Sequence, residues 1–311
     1  MKKYDKLIRE AKQAFEKHHL EDAASYYEEA FKYGVKISDY IMLGYIYIDL
    51  GKYQIAEDMF QKINDLEDND ESNYALANIY ERTNRKNKAI ETYENIKNKA
   101  FLPSSLFSLG YLYDELAEEN NDNFESENIQ KAIKYYQRFL ELDENDFWGH
   151  INLGSIYERF NYNEEALKHF LMAHEIDKDM NTACFNLGVV YNKLKDYDKA
   201  LEYYLEELTK EGFYLITYYN LGILYKDHFN DYEKAKYYYL KGLEEDQDNY
   251  DLWYNLGCIH VLLNDYSNAF DCFKYLYYKQ RKYIEYMEKD KELTEFRKTQ
   301  YYQELKNEKR F

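Results

Sequence analysis

The sequence predicts an all-α protein built as a stack of about eight helix–turn–helix units. Three observations carry this. The phrase Asn-Leu-Gly stands at residues 152–154, 186–188, 220–222 and 255–257, with its Leu positions 34, 34 and 35 residues apart. At constant phase after it come a ring (Tyr157, Tyr191, Tyr225, His260), then an Ala (Ala166, Ala200, Ala235, Ala269), then a second ring (Phe170, Tyr204, Tyr239, Phe273). A fixed period of this length with small and aromatic residues in phase is the signature of stacked repeats. Finally, one Pro and 11 Gly in 311 residues favour long uninterrupted helices, and 39 Tyr supply the volume to pack them.

Followed towards the N-terminus, the same phase finds weaker copies. Leu43-Gly44 leads to Tyr47, Ala56 and Phe60; Leu76-Ala77 leads to Tyr80, Ala89 and Tyr93; Leu109-Gly110 leads to Tyr113 and, after a longer gap, Ala132 and Tyr136. The first unit is the most degenerate, with Ala11, Ala14, Phe15, Ala23, Tyr27 and Ala30. Units are therefore expected to start near residues 4, 37, 70, 103, 147, 181, 215 and 250, an array over 1–276. Apolar residues recur at three- and four-residue steps inside each unit, the helical period. Polar or Gly-containing pairs interrupt it mid-unit at Gly51-Lys52, Asn84-Arg85, Lys195-Asp196 and Asn264-Asp265, and these read as the turns between two helices. Ser38, Asp146 and Asp251 are N-cap candidates. The in-phase Gly and Ala imply an approach of the two helices too close for a larger side chain. Two segments leave the pattern. Residues 118–127 form an acidic, Asn-rich insert expected to be a solvated loop. Residues 277–311 lack the phrase but intersperse Tyr283, Met287, Leu293 and Phe296 among charges. That is expected of a helix capping the last unit, with a basic docking tail as the alternative.

The pattern resembles the tetratricopeptide repeat, and the last unit matches it most fully through Trp253, Leu256-Gly257, Tyr266, Ala269 and Phe273. The Pro that usually closes each repeat is missing almost everywhere. The resemblance implies a right-handed α-solenoid whose first helices line a concave groove, with Asn152, Asn186, Asn220 and Asn255 facing it. A side-chain amide offers both donor and acceptor, matching the N–H and C=O of an extended peptide. Packed helices lie roughly 8–10 Å apart and an extended chain advances about 3.3 Å per residue, so each Asn would serve about every third peptide residue. A ladder of this kind is known in the family, for example in the glycosyltransferase that modifies Ser/Thr with N-acetylglucosamine. Asn is also simply common before Leu-Gly in this family. Phe185, Tyr219 and Tyr254 precede three of the Asn and would pack apolar side chains, with Trp148, Val189 and Ile223 nearby and Arg159, Lys193 and Lys226 at the edge. The Lys/Arg clamp that grips chaperone tails is absent: Glu71 and Asp251 stand where Lys is wanted.

Composition bounds the partner. Residues 277–311 hold 10 Lys and Arg against 7 Asp and Glu, leaving 31 against 52 in residues 1–276, a balance of −21. So acidic a body repels phosphate backbones, which argues against nucleic acid and for a protein or peptide partner. No run of 18 apolar residues suits a membrane and the N-terminus has no signal-peptide core, so the cytoplasm is the expected location. Cys184, Cys258 and Cys272 have no paired spacing; Cys184 and Cys258 are expected semi-buried, as reduced thiols. No HExxH, CxxC, GxSxG or phosphate loop occurs, and His169 and His174 are poorly spaced for a metal, so no catalytic residue, metal or cofactor is expected. Acidic pairs such as Glu164-Glu165 and Glu206-Glu207 read as solvated faces. The expected function is a non-catalytic scaffold or adaptor that binds an extended peptide or a helix of a partner in the concave groove, chiefly along repeats five to eight. The alternative is a regulatory receptor that switches a partner when a short signalling peptide binds, and an unseen enzyme is a distant third.

Overall fold

The computed structural model describes residues 2–66, 69–280 and 282–307, with backbone alone for Ile284. Among these residues every regular element is helical. The chain divides into two compact units, residues 1–156 and 157–311. In the first, hairpins form from α1 (Lys2–Glu16) with α2 (Leu20–Phe31), α3 (Ile37–Asp49) with α4 (Tyr53–Asn64), α5 (Asp70–Arg82) with α6 (Lys86–Glu94), and α7 (Leu102–Asn120) with α8 (Glu127–Leu142). The division falls inside α9 (Phe147–Arg159). The second unit continues with α10 (Asn163–Ile176) and three hairpins: α11 (Asn181–Lys193) with α12 (Tyr197–Glu207), α13 (Ile216–Asp227) with α14 (Tyr232–Glu245), and α15 (Tyr250–Leu262) with α16 (Tyr266–Lys279). It ends with α17 (Lys282–Lys289), two short 3₁₀ turns and α18 (Gln300–Asn307). We call the odd-numbered helices α1–α15 the A helices and their even-numbered successors the B helices.

The turns within the hairpins share one device. A residue with positive φ precedes the B helix at Gly51, Asn84, Asn161, Lys195, Asn230 and Asn264. The next residue opens that helix, and Asp196, Asp231 and Asp265 cap it by accepting from the amide three residues on. Gly and Asn tolerate the left-handed region; Lys195, at φ 64°, is strained there. Lys195→Gly is expected to stabilise the protein by about 0.5–1 kcal/mol in denaturant unfolding, whereas Lys195→Val should destabilise it. Of the cap candidates, Asp146 accepts from the Gly149 amide at 2.6 Å. Ser38 and Asp251 lie inside their helices, which begin after Lys36 and Asn249, because the chain turns helical earlier than the polar residue suggests.

Close packing explains the Leu-Gly phrase. In five hairpins the second ring of the B helix lies against the Gly of its own A helix, at Gly44, Gly110, Gly188, Gly222 and Gly257. A Cβ added at Gly44, Gly188, Gly222 or Gly257 would stand 2.6, 2.5, 2.1 or 2.6 Å from Phe60, Tyr204, Tyr239 or Phe273. Those rings are buried, as are Ala166, Ala200, Ala235 and Ala269.

Three features differ from expectation. The insert is narrower than 118–127: α7 runs on to Asn120 and closes with a left-handed Asn121, and Ser126 caps α8. The cap over the last hairpin is broken into α17, two 3₁₀ turns and α18 rather than one helix. Arg297 donates to the carbonyls of Met287 (2.8 Å) and Asp290 (2.5 Å), satisfying the end of α17 from a later turn, and Leu293 and Phe296 drop into the core against Phe273. Finally, Glu207 of the pair 206–207 is fully buried. Its Oε1 accepts from the Tyr214 amide at 2.6 Å, tying the loop before α13. Burial pushes its pKa above the usual carboxylate range, against the Tyr214 amide hydrogen bond that lowers it. With the folded pKa above the unfolded one, ionised Glu207 lowers stability, and the deficit disappears as pH falls through the folded pKa. Glu207→Gln keeps the acceptor without the charge. It is expected to raise stability at pH 7 by on the order of 1 kcal/mol and to flatten the pH dependence of Tm near the carboxylate range.

Candidate functional site

The four Asn occupy one phase of α9, α11, α13 and α15, beside a buried Leu, and each is itself only half-buried. Sixteen residues ahead of each stands the second ring of the preceding B helix: Tyr136, Phe170, Tyr204 and Tyr239. Burial pushes the Tyr136 and Tyr204 phenols up, and the neighbouring Asn152 and Asn220 amides act against it. One tyrosine thus lies against the Gly of its own hairpin and beside the Asn of the next A helix. Phe170 offers Asn186 no hydroxyl. Asn255 donates to its own helix, to the Asp251 carbonyl at 2.8 Å, and the buried Tyr239 hydroxyl is unpaired among the described residues. A primary amide has two donors and two acceptor lone pairs. Half-buried at this phase, Asn152 and Asn220 keep capacity for a ligand.

The flanking residues divide into two groups. Half-buried Phe185 packs on Tyr204 (6.3 Å between centroids) and Tyr214 (5.0 Å), and half-buried Tyr219 on Tyr239 (6.4 Å). Lys193 pairs with Glu158 at 2.5 Å and donates to its carbonyl, and Arg159 lies over Phe160. Trp148 packs edge-on against Phe147 in the first unit and remains 48% exposed, so its ring is accessible there.

Tyr254 and Lys226 are engaged by the chain's own C-terminal segment. The Tyr254 hydroxyl donates to Asp290 Oδ2 at 2.7 Å, and its ring meets Tyr283 at 5.6 Å. Lys226 Nζ donates to both Glu292 oxygens at 3.0 and 3.1 Å and pairs with Asp227 at 3.2 Å. Tyr283 donates to Asp251 Oδ1 at 2.5 Å. Burial pulls the Lys226 pKa down, but Glu292 and Asp227 outweigh it and the net shift is upward. Burial first and the Asp290 hydrogen bond after it push the Tyr254 phenol up. These contacts anchor the cap on α13 and α15. Sequence reasoning missed them because residues 283–292 carry no repeat phase to show which helix face they meet.

Cys184, Cys258 and Cys272 are free thiols, more deeply buried than expected. No helix among the described residues is long and apolar enough to cross a membrane.

Comparison with known proteins supplies the last evidence. No curated protein sequence matches the chain. Its structure is similar to that of a MamA protein, with TM-score 0.51 and 19% identity over 60% of this chain and 96% of that one. A second MamA structure gives 0.49 and 21% over 55% and 95%. YrrB, described as a TPR protein with an unusual peptide-binding site, gives 0.49 and 21% over 69% and 100%. At such identities the first of these speaks for the fold alone. The model of the Tetratricopeptide Repeats-Sensor family matches residues 52–157, and three tetratricopeptide-repeat models match residues 182–206, 216–249 and 238–270. The Gly-on-ring packing recurs through both matched stretches, and the chain belongs to the tetratricopeptide repeat family.

Proposed function

We propose that this protein is a non-catalytic interaction scaffold whose second unit binds an extended peptide across the A helices α11 and α13. The observation that carries the reading is the pair Asn186 and Asn220, half-buried at one phase of adjacent A helices. Two amides in register offer paired donors and acceptors to a peptide backbone. Half-buried Val189 and Ile223, one turn along, provide apolar contact beside it. Towards the C-terminus the surface ends where the cap holds Tyr254 and Lys226, so those two act in stability and the ligand surface is confined to the earlier rungs. Asn152 presents the same arrangement within the first unit. The acidic body favours a basic or weakly charged ligand, working in the cytoplasm.

A photo-crosslinking residue at Ile223 tests this, with one at the exposed Tyr237 on α14 as the comparison. Partner crosslinking at 223 and not at 237 is the expected result; crosslinking at 237 alone overturns the A-face reading.

A second reading, a regulatory receptor for a short signalling peptide, draws support from the sensor family model over residues 52–157. It requires a ligand-dependent change in small-angle scattering, and ligand binding with an unchanged curve excludes it.

A further inference from the structure

We propose that His174, Cys184 and Glu206 form a binding site for one thiophilic divalent cation of the zinc type. The residues come from α10, α11 and α12, and their donor atoms all lie within 4.8 Å of one another. The Cys184 thiol is fully buried, and the His174 and Glu206 side chains are 12% and 32% exposed. His174 Nδ1 is 3.7 Å from Cys184 Sγ, and its Nε2 is 3.7 Å from Glu206 Oε1. The imidazole–carboxylate separation exceeds a hydrogen bond, so the ring and Glu206 face each other without bonding directly. The two 3.7 Å separations run to opposite ring nitrogens, of which the ion takes one; donors within 4.8 Å of one another need only draw in to reach a centre about 2.0–2.3 Å from N, O and S, the geometry of Zn²⁺. Thiolate, imidazole and carboxylate together suit zinc rather than calcium or magnesium.

A slight ring rotation turns one nitrogen inward and leaves the other outward. Tyr203 packs edge-on against His174 at 5.6 Å and stacks on Tyr191 at 5.5 Å, walling one side. Three protein ligands leave the fourth position for water. One group competes: Lys210 Nζ lies 3.1 Å from Glu206 Oε1 and must swing away when the ion enters. The cluster of Cys258, Asp290 and Glu292 is a useful contrast. That set offers no imidazole, Lys226 donates to both Glu292 oxygens, and Tyr254 donates to Asp290.

The test uses the full-length protein, stripped with chelator and titrated with Co²⁺ as a spectroscopic probe and with Zn²⁺ as competitor. The expected result is one equivalent of Co²⁺ giving a thiolate-to-cobalt charge-transfer band that Zn²⁺ abolishes. Cys184→Ser should lose the band, and His174→Gln, a change at a partly exposed position, should lose it while circular dichroism stays unchanged. Lys210→Met should tighten binding several-fold, which a packing role for the cluster would not produce. Absence of the band in the wild type, or its persistence in Cys184→Ser, overturns the proposal.

Discussion

Phe296→Ala is expected to destabilise the protein by about 3–5 kcal/mol, the cost of emptying a large buried aromatic site. Phe296 is fully buried and meets Phe273 at 5.2 Å, Tyr266 at 6.2 Å and Tyr302 at 6.0 Å. It fills the outer side of the last hairpin, where a further repeat would otherwise pack, and Phe273 behind it covers Gly257. In a repeat array each unit is stabilised mainly by its neighbours, so removing the end contact loosens the end first. Denaturant unfolding followed by circular dichroism should show a lower midpoint. Hydrogen exchange should show protection lost in α15 and α16 before α3 and α4. A loss of under about 1 kcal/mol would mean that residues 290–307 are ornamental to the fold.

The second large effect is at Gly222. Ala there places a Cβ 2.1 Å from Tyr239 Cε1, closer than the rings at Gly44, Gly110, Gly188 and Gly257. Tyr239 is fully buried and has no open side to retreat to. Helix propensity alone would make Ala better than Gly by about 1 kcal/mol, while overpacking of a filled core costs about 1–3 kcal/mol. With the ring unable to move, the steric cost lies at the upper end of that range and the net loss is up to about 2 kcal/mol. Tyr239→Leu in the same chain should recover part of it, a coupling that a thermal-melt double-mutant cycle reads directly. Gly242→Ala is the internal control: its Cβ would meet the tip of Leu252 at 2.6 Å, and a flexible end can move. Equal losses at Gly222 and Gly242 would contradict the role assigned to the Tyr239 ring.

The parts legible in the sequence were those governed by local period. The Leu-Gly phase foretold which helices meet closely, because the missing Cβ and the ring opposite are both written in the repeat. The turns at Gly51, Asn84, Lys195 and Asn264 were legible too, since left-handed backbone selects few residue types. What escaped depended on contacts between segments out of phase. Glu207 looked solvent-facing by its acidic neighbour, yet the loop after α12 brings the Tyr214 amide onto it. Tyr254 and Lys226 match groove positions by phase, but Asp290 and Glu292 fold back over them from beyond the last repeat. The Asn rungs were legible as a row, but not that Asn255 turns its amide back onto the Asp251 carbonyl. His174, Cys184 and Glu206 are spaced by 10 and 22 residues, which matches no metal motif; only the packing of three successive helices brings them together.

Capture of a partner from native lysate by the full-length protein, compared between wild type and an Asn186→Ala/Asn220→Ala variant, tests the central claim most directly. Circular dichroism would first establish that both are folded, and mass spectrometry would identify what each retains. The account predicts a partner held by the wild type through a peptide segment and lost from the variant. The same partner retained at equal yield would contradict it, and would leave the two amides with a structural part alone.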